Sequence, residues 1–491
     1  MLDNFYDTIY KNLNSRAVFY RYKDEKFKYT DLKKFYKYYI IQRKIYRKKK
    51  NNRIISLFKK SFECYATSIS ILLTNDVWIP ISSELPIERI EKHIKLLRPD
   101  VILFDRSNKK TIDHLMGVNK NIIYLEIKGF NEIKNLSISN KLKQIKSHCN
   151  NDEAMIFFTS GSTGDPKGVV IKQKNFIPSF FVQYKKFYSQ KNRLTFVDFH
   201  DISFVISLNI FFQSVYSCST IVPAKNISDF VNPLSFMRDH KVNVLITVPS
   251  FISQIMKLKI EESLNLKIVI MCGETFFYNI LEFILKKLNS AEVYNCYGST
   301  ELSPWIFSYR YNHSHLDLIK KIGVVPVGRK FDFVKLKIIE EKLLISGPNV
   351  VDGYLNGDGD SKKFFKEKNV NWYLTGDKAK KIKNYFFIMG RNDDQIKIRG
   401  YRVNLLEIEK NIRKFSGITH TYVFCKNEGN YKKKILAVID QSSEANKLEI
   451  TDFLRKKLPI YMMPNKFIFM KIPCNKNGKI DRKKIKEALK I

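Results

Sequence analysis

The order of apolar and polar positions predicts alternating helices and short buried strands along most of the chain. In the first part, a helix expected over 61–74 is followed by an apolar run at 77–81, a helix over 87–97 and a second run at 101–104. Such alternation is typical of parallel sheets, because each helix returns the chain to the edge where the next strand begins. The pattern therefore predicts an α/β fold of parallel-type sheets layered with helices.

The pattern changes toward the end of the chain. The alternation continues to residue 296, a β-rich part covers 327–389, and a compact α+β pattern fills the rest. These changes predict a large N-terminal domain over 1–391, which includes a β-rich subdomain, and a small mobile C-terminal domain over 392–491. Asp393 lies between two strongly patterned segments, where few apolar residues would resist a hinge motion, so the hinge is expected near it.

A segment rich in glycine and hydroxyl groups separates two apolar runs, and it reads FFTSGSTGDPKGVV over 157–170. Its glycines, with Gly168 among them, can take positive φ and bring backbone N–H groups close to an anion, while the lysine supplies a positive charge. This composition is also typical of a solvated turn, so both interpretations stay open. The expected phosphate-binding residues are Thr159, Ser160, Gly161, Ser162, Thr163, Gly164 and Lys167.

Composition places the chain among globular proteins of more than one domain. It has 491 residues, of which 44% are hydrophobic and 13% aromatic, enough to bury sizeable cores. The longest apolar-leaning run, 202–223, is interrupted by Asn209 and Gln213, so we expect a buried element and not a membrane span. No secretory signal is expected at the start. Seven scattered cysteines without a CxxC pair favour a reducing cytoplasm and argue against a structural metal.

Charge is the most unusual global property of the chain. There are 86 Lys and Arg against 48 Asp and Glu, which gives a formal net charge of +38. Such a field suits nucleic-acid or membrane-surface binding. However, the lysines are spread along the whole chain, and Lys, Asn, Ile, Phe and Tyr are abundant together while Gly numbers only 19. This favours compositional drift, so neither specific nucleic-acid binding nor membrane insertion is expected.

Two further motifs end in a carboxylate. The segment 295–301 reads NCYGSTE, in which Thr300 could bind a phosphate oxygen and Glu301 could hold Mg²⁺. The segment 373–377 reads YLTGD, and its last residue, Asp377, can accept both hydroxyls of a ribose. Each segment taken alone is also typical of an ordinary turn.

The last part of the chain carries three more motifs. Residues 390–409 read GRNDDQIKIRGYRVNLLEIE, in which Arg391 is a candidate for ribose or phosphate contact and the middle alternates as an amphipathic hairpin. The chain then has KLPIYMMPNKF at 457–467 and NKNGKIDRKKI at 475–485. Lys479 lies in a glycine-bearing loop of the second segment, where a lysine is ordinarily a surface residue.

The order and the residues of these six motifs resemble those of the adenylate-forming, or AMP-binding, superfamily. Among its branches the chain is most similar to amino-acid adenylation domains of nonribosomal peptide synthetases and to stand-alone D-alanine:carrier-protein ligases. LPIYMMP, NGKIDR and DQIKIRG are the segments more specific to that branch. The resemblance covers essentially the whole chain. It has departures at 74–76, where relatives carry glycine and alanine, and at 405–406, where they usually carry glycine.

The resemblance implies a two-step reaction that uses ATP and Mg²⁺. A carboxylate attacks the α-phosphate of MgATP to give an acyl-adenylate and pyrophosphate, and a phosphopantetheine thiol then displaces AMP to form a thioester. Lys479 matches the catalytic lysine that bridges substrate and ATP in the first step. Thr300 and Glu301 would serve the phosphate and Mg²⁺.

Other motif positions match nucleotide-binding and hinge residues of the family. The loop over 159–167 would cradle the β- and γ-phosphates, with Lys167 as partner of the leaving pyrophosphate. Asp377 and Arg391 match the positions that bind the nucleotide ribose. Asp393 matches the hinge about which the small domain rotates.

The resemblance also implies a substrate site. Asp201, in the segment FHDIS, matches an aspartate that receives the substrate's amino group, which favours an amino acid over a fatty or aryl acid. The alternative is that Asp201 caps the helix that follows. Cys272 matches the strand end that lines the side-chain pocket, with Cys296 opposite. The segment CGE at 272–274 is similar to that of the D-alanine ligases, but Pro304 and Trp305 stand where those relatives carry other residues.

The interpretation as a whole is an amino-acid adenylating enzyme that takes an amino acid, ATP and a separate phosphopantetheinylated carrier protein. No carrier domain is expected within the chain, because it ends shortly after NGKIDR, and a basic surface suits docking of an acidic partner. Two alternatives stay open. One is an acyl- or aryl-CoA synthetase that uses free coenzyme A, and the other is a basic nucleic-acid-binding protein on an inactive scaffold.

Overall fold

The fold is given by a computed structural model that describes residues 1–46, 51–138, 148–149, 151–160, 166–191, 193–258, 264–288, 291–357, 363–368, 370–391, 395–418, 420–440, 446–473 and 480–489. The chain forms two compact units. The first comprises Met1–Ser83, Leu96–Phe158 and Gly168–Gly390, and the second comprises Glu84–Lys95, Thr159–Lys167 and Arg391–Ile491. The domain boundary after 391 stays a prediction, and so does the hinge at Asp393, which lies outside the described residues.

In chain order the helices are α1 (Leu2–Asn12), α2 (Tyr29–Arg43), α3 (Phe62–Leu73), α4 (Ile87–Leu97), α5 (Lys109–Val118), α6 (Phe130–Ile133), α7 (Gln173–Phe187), α8 (Val205–Tyr216), α9 (Ile227–Val231), α10 (Pro233–Asp239), α11 (Pro249–Ile255), α12 (Tyr278–Lys287), α13 (Leu316–Ile322), α14 (Leu405–Ile412), α15 (Lys447–Arg455) and α16 (Arg482–Ala488).

The strands are β1 (Val18–Tyr22), β2 (Glu25–Lys28), β3 (Arg53–Leu57), β4 (Val77–Pro80), β5 (Val101–Phe104), β6 (Ile123–Glu126), β7 (Glu153–Ser160), β8 (Pro166–Lys172), β9 (Thr195–Asp198), β10 (Thr220–Pro223), β11 (Val244–Thr247), β12 (Ile268–Met271), β13 (Glu292–Gly298), β14 (Trp305–Arg310), β15 (Arg329–Lys330), β16 (Lys335–Ile339), β17 (Lys342–Ser346), β18 (Phe364–Glu367), β19 (Val370–Ile382), β20 (Tyr385–Arg391), β21 (Gln395–Ile398), β22 (Tyr401–Asn404), β23 (Thr421–Asn427), β24 (Lys433–Asp440) and β25 (Lys466–Met470).

The first unit contains a mainly parallel sheet. Over the described residues it has nine strands in the order β15-β14-β13-β12-β11-β9-β10-β1-β2. The pairs from β1 through β10, β9, β11 and β12 to β13 are parallel, and antiparallel strands lie at both edges. Helices α8 to α12 connect β9, β10, β11, β12 and β13. The carboxyl ends of these strands therefore share one edge, which is where open α/β sheets bind ligands.

A second sheet in the first unit has the order β6-β5-β3-β4-β7-β8 where the chain is described. Its pairs from β6 to β7 are parallel. Helix α4 has the bounds that the sequence predicts, and the helix predicted over 61–74 forms as α3, whose N-cap residue, Ser61, accepts a hydrogen bond from the backbone N–H of Cys64. Buried β-branched and leucine side chains fill these short strands, so the predicted α/β fold is confirmed.

The departure at 74–76 has a structural role in this sheet. Asn75 takes a φ of 57°, a conformation that asparagine tolerates better than most side chains. Asp76 is buried, and its carboxylate accepts hydrogen bonds from Arg43 Nε at 2.5 Å and from Asn52 Nδ2 at 2.9 Å. The substituted residues therefore tie α2 to the amino-terminal ends of β3 and β4.

The remaining strands form smaller sheets. In the first unit, β16, β17, β19 and β18 pair in that order, and β20 pairs with β19. In the second unit, β23, β24 and β25 form one sheet and β21 pairs with β22 in the predicted hairpin, where Arg399 and Gly400 have φ of 50° and 81°. Two positive φ values in a two-residue loop are typical of a type I′ turn. None of the helices in the described part of the chain has the length and apolarity needed to span a membrane.

Candidate active site

The NCYGSTE segment turns back on itself at the end of β13. A Cβ atom on Gly298 would lie 1.5 Å from the carbonyl oxygen of Pro304, so only glycine fits at this position. The close approach lets the chain return as β14 in antiparallel pairing with β13. The turn places Glu301 in the interior, where its side chain is fully buried and Oε1 accepts a hydrogen bond from the Tyr354 hydroxyl at 2.8 Å.

Glu301 suits a metal ion that arrives together with a nucleotide. Mg²⁺ takes oxygen ligands, keeps several waters, and is usually bound by one or two carboxylates plus substrate phosphates. The Tyr354 phenol orients one oxygen of the Glu301 carboxylate, and the half-buried Thr300 precedes Glu301 in the chain. Groups of three or more His, Cys, Asp or Glu able to hold a metal do not occur among the described residues. One carboxylate oriented by Tyr354 would suit a Mg²⁺ whose other ligands are substrate phosphates and waters.

Asp377 is joined to the same motif by a hydrogen bond. Gly376 has a φ of 79°, and the register of β19 against β17 shifts in this stretch. Asp377 is buried there, and its Oδ2 accepts a hydrogen bond from the Tyr297 hydroxyl at 2.6 Å. Its own N–H donates to Thr375 Oγ1 at 3.1 Å. Tyr297 thus connects the predicted ribose-binding carboxylate to the segment that carries Thr300 and Glu301.

The glycine-rich loop is described only at its two ends, because Gly161, Ser162, Thr163 and Gly164 lie outside the described residues. At the first end, β7 closes with Thr159 and Ser160, and the Ser160 hydroxyl donates to the backbone carbonyl of Arg402 at 2.8 Å within the second unit. A phosphate at Ser160 would compete with this bond.

Lys167 and Gly168 lie in β8, at the other end of the loop. The Lys167 side chain is buried. The expectation that Gly168 takes positive φ is wrong, since this glycine is in extended strand conformation. Its small size matters for another reason, because a Cβ atom there would lie 3.1 Å from Leu355 Cβ.

Arg391 belongs to a cluster in the second unit. Its Nη2 donates to Oε1 of Gln395 at 3.1 Å, and Arg402 Nε donates to the same oxygen. Gln395, part of the DQIKIRG segment, is buried and so gathers two guanidinium groups on one amide oxygen. Lys479 lies outside the described residues, as Asp393 does, so the predicted roles of these two residues stay predictions.

Asp201 accepts hydrogen bonds from neutral donors among the described residues. Its Oδ1 accepts from the Ser203 N–H at 2.9 Å and the Ser203 hydroxyl at 2.5 Å, and its Oδ2 accepts from the Ser82 hydroxyl at 2.7 Å. Helix α8 begins at Val205 with Phe204 as its N-cap residue. The alternative that Asp201 caps this helix is therefore wrong, and Asp201 instead orders the turn that precedes it.

A buried carboxylate three residues earlier, Asp198, was not predicted from the sequence. Its Oδ2 accepts hydrogen bonds from the hydroxyls of Tyr65 and Ser207, each at 2.7 Å. Its Oδ1 accepts from the His200 N–H at 3.0 Å and lies 3.7 Å from Lys60 Nζ. The only sequence signal was an aspartate at the end of an apolar strand, which gives no indication of these partners.

His200 lies between Asp198 and Asp201 in the chain, and its imidazole stays neutral. Burial lowers the pKa of its imidazole to about 4, and the Asp198 carboxylate opposes that shift only in part. The side chain is buried, next to Asp201 in the chain. The acidic residues of this turn are thus Asp198 and Asp201, and Lys60 lies beside the first of them.

Cys272 and Cys296 are brought together as neighbours on adjacent strands. The parallel pairing of β12 with β13 sets Met271 opposite Asn295. Cys272 directly follows Met271, and Cys296 directly follows Asn295. Both thiols are buried, and burial raises the pKa of Cys296 well above its usual range, with Cys272 adding to the shift. Two buried thiols thus lie at the carboxyl edge of the nine-stranded sheet.

Comparison with known proteins agrees with this arrangement. The family model described as AMP-binding enzyme matches residues 44–355, more than half of the chain. A D-alanine–D-alanyl carrier protein ligase from Staphylococcus epidermidis is 29% identical over 432 residues, which cover 84% of this chain and 84% of that protein.

Two solved structures share the fold. The adenylation domain AlmE of Vibrio cholerae, in complex with glycyl-adenosine-5'-phosphate, has a TM-score of 0.80 at 20% identity, covering 99% of this chain and 97% of that one. A mutant of the o-succinylbenzoate CoA synthetase of Bacillus subtilis has a TM-score of 0.82 at 18% identity, covering 98% of each chain. The chain belongs to the AMP-binding enzyme family and is an ATP-dependent ligase that forms an acyl-adenylate.

Proposed function

We propose that this enzyme activates an amino acid as its aminoacyl-adenylate and then transfers the aminoacyl group to the phosphopantetheine thiol of a separate carrier protein. The observation that carries the proposal is the environment of Asp201, whose described hydrogen-bond donors are all neutral. An ionised carboxylate in a partly buried turn is stabilised by a cation. The ammonium group of an amino acid supplies that cation, whereas a fatty or aryl acid does not.

The neighbouring charges support the same assignment. Lys60 lies beside Asp198, and His200 is neutral. The described donors to Asp201 are neutral groups instead, so one bound ammonium group would balance the charge of this carboxylate. The relatives support an amino-acid substrate independently, because one is named for D-alanine and a structural neighbour holds a glycyl-adenylate.

The nucleotide would be bound by residues of the YLTGD and NCYGSTE segments. Asp377, oriented by Tyr297, would accept the ribose hydroxyls through its carboxylate. Glu301, oriented by Tyr354, would hold the Mg²⁺ that neutralises the ATP phosphates, with Thr300 donating its hydroxyl to a phosphate oxygen. We assign Thr159 to Lys167 to the β- and γ-phosphates and Arg391 to the ribose.

The chemistry requires two anions to approach each other. A carboxylate oxygen of the substrate attacks the α-phosphorus, a new P–O bond forms, and the bond to pyrophosphate breaks. Positive charge at this point lowers the barrier, because it offsets the repulsion and stabilises the developing charge. We assign this role to Lys479, and the role of leaving-group partner to Lys167.

The acceptor in the second step is proposed to be a carrier protein and not free coenzyme A. The name of the S. epidermidis relative supports a carrier, and the net charge of +38 suits an acidic partner. The structural neighbour that is a CoA synthetase defines the competing acceptor. Incubation with ATP and amino acid, followed by intact-mass measurement of a phosphopantetheinylated carrier protein and chromatography of added coenzyme A, separates the two.

Two variants test the residue assignments. Asp201→Asn is expected to reduce the preference for an amino acid over the same acid without its amino group, while Asp31→Asn, which removes a similar carboxylate from the backbone N–H of Lys28, leaves the preference unchanged. Lys479→Ala is expected to lose adenylate formation and to keep thioester formation from preformed adenylate. Equal loss of both steps in Lys479→Ala would contradict its assignment.

A further inference from the structure

Asp198 lies at a junction of four chain segments next to the substrate turn. Its carboxylate accepts hydrogen bonds from Tyr65 on α3, from Ser207 on α8 and from the backbone N–H of His200. The fourth segment is the one that precedes α3, from which Lys60 Nζ donates to the backbone carbonyl of Asp198 at 2.9 Å. The Asp198 side chain is 0% exposed, so these contacts are made away from solvent.

The position of Asp198 in the chain gives this junction a consequence for binding. Asp198 is the last residue of β9, and Asp201 follows after Phe199 and His200. Because both the backbone and the side chain of Asp198 are held, the start of the turn that presents Asp201 is fixed. The Phe199 ring packs 4.7 Å from the Phe251 ring, which fixes the next residue as well.

The far side of the turn is held in a similar way. The Asp201 carboxylate bonds to Ser203, and Ser82 reaches it from the segment after β4. The segment 198–203 is therefore held by hydrogen bonds at both ends. Preorganised binding groups avoid the cost of ordering when the ligand binds.

We propose that Asp198 is a positioning residue for amino-acid recognition, and that Tyr65, Ser207 and Lys60 act through it. The inference rests on the proposed function, because it takes Asp201 as the group that meets the substrate's ammonium. Lys60 has a second effect in this arrangement. It compensates the charge of Asp198, so that a substrate cation is drawn to Asp201 and not to Asp198.

The test is the steady-state dependence of pyrophosphate exchange on amino acid and on ATP, measured separately. Asp198→Asn is expected to raise the KM for the amino acid by about tenfold, the effect of losing roughly one charge-assisted hydrogen bond, while the KM for ATP stays within about twofold. Tyr65→Phe and Ser207→Ala keep the charge of Asp198 and remove one donor each. They are expected to raise the KM for the amino acid by about threefold each and to leave the KM for ATP unchanged.

A matched control separates positioning from stability. Asp76, like Asp198, is a buried carboxylate that accepts hydrogen bonds, in its case from Arg43 and Asn52. It lies at the amino-terminal ends of β3 and β4, in the other sheet of the first unit. Asp76→Asn is expected to lower the melting temperature and to leave both KM values unchanged. Should Asp198→Asn fail to fold, the double variant Asp198→Asn with Lys60→Met, which removes both charges, and the two donor variants give the readout.

The outcomes are distinguishable from failure of the proposed function. Wild-type enzyme without amino-acid-dependent exchange would overturn the proposed function and the inference together. Wild-type enzyme with exchange, combined with variants whose KM values for amino acid and ATP change equally or not at all, would overturn the inference alone. A selective rise in the KM for the amino acid, absent from Asp76→Asn, supports it.

Discussion

The Tyr297 hydroxyl donates a hydrogen bond to Asp377 Oδ2 over 2.6 Å, although 80 residues separate the two in the chain. Both side chains are buried. A hydrogen bond to a charged group contributes about 1.5 to 3 kcal/mol, and here it fixes the carboxylate that we assign to the ribose. The relationship links two motifs that the sequence presents as separate turns.

Tyr297→Phe should therefore weaken nucleotide binding. We expect the KM for ATP to rise by about tenfold, because the carboxylate loses the donor that orients it, and the KM for the amino acid to stay unchanged. Kinetics of pyrophosphate exchange at varied ATP provide the measurement. Tyr385→Phe is the matched control, since its hydroxyl meets His315 away from these motifs. An equal effect of both substitutions would contradict the assignment of Asp377.

Tyr354→Phe should change the dependence on Mg²⁺. The Tyr354 phenol holds Glu301 Oε1 at 2.8 Å, and without it the carboxylate is less well oriented for a metal ion. We expect the MgCl₂ concentration for half-maximal exchange to rise by about threefold to tenfold at fixed ATP. A titration with MgCl₂ in wild type and variant measures this. An unchanged Mg²⁺ requirement, with normal folding, would argue against Glu301 as the metal ligand.

Gly298→Ala should severely destabilise the protein. The added methyl group would lie 1.5 Å from the carbonyl oxygen of Pro304, a distance that requires the backbone of the turn to move. We expect a loss of at least about 3 kcal/mol in the free energy of unfolding, read from urea denaturation, or insoluble protein. Gly117→Ala is the control. Gly117 lies in α5, where an added Cβ atom would meet nothing within 4 Å, so alanine should stabilise by about 0.5 to 1 kcal/mol.

His200 should make the stability of the protein fall as the pH falls below 6.5. Burial lowers its pKa to about 4 in the folded protein, whereas the unfolded value is 6.5, so protonation favours the unfolded chain. The stability is fully present above pH 6.5 and is lost as the pH falls toward 4. Between pH 7 and pH 5 the loss from this residue is about 2 kcal/mol.

Comparison with His200→Gln isolates this contribution from other titrating groups. The difference in unfolding free energy between pH 7 and pH 5, measured by urea denaturation, should be smaller in the variant by about 2 kcal/mol. An identical pH dependence in both proteins would show that His200 is not held neutral by burial.

Much of the fold could be predicted because it is encoded locally. Short apolar runs alternate with amphipathic segments, and this pattern alone indicated the parallel sheets and the bounds of α4. The hairpin of β21 and β22 was likewise visible as alternation. Motifs in a fixed order then indicated the family, and the roles assigned to their residues stay predictions.

The parts of the candidate site that the sequence did not predict depend on contacts between distant segments. Tyr65 and Asp198 are 133 residues apart, and no periodicity predicts that a tyrosine on one helix meets an aspartate at the end of a strand in another sheet. Tyr354 is similar, since its partner Glu301 lies 53 residues earlier. The sequence indicated a turn in the NCYGSTE segment, but the need for glycine at 298 comes from the close approach of the Pro304 carbonyl, which only tertiary structure reveals.

Exchange of labelled pyrophosphate into ATP is the most direct test of whether this AMP-binding enzyme activates an amino acid. A full panel of L- and D-amino acids, with fatty and aryl acids in parallel, would be assayed with wild-type protein. We predict exchange that depends on an amino acid and that is lost with the same acid lacking its amino group. Exchange supported by a fatty or aryl acid, with none by any amino acid, would contradict it.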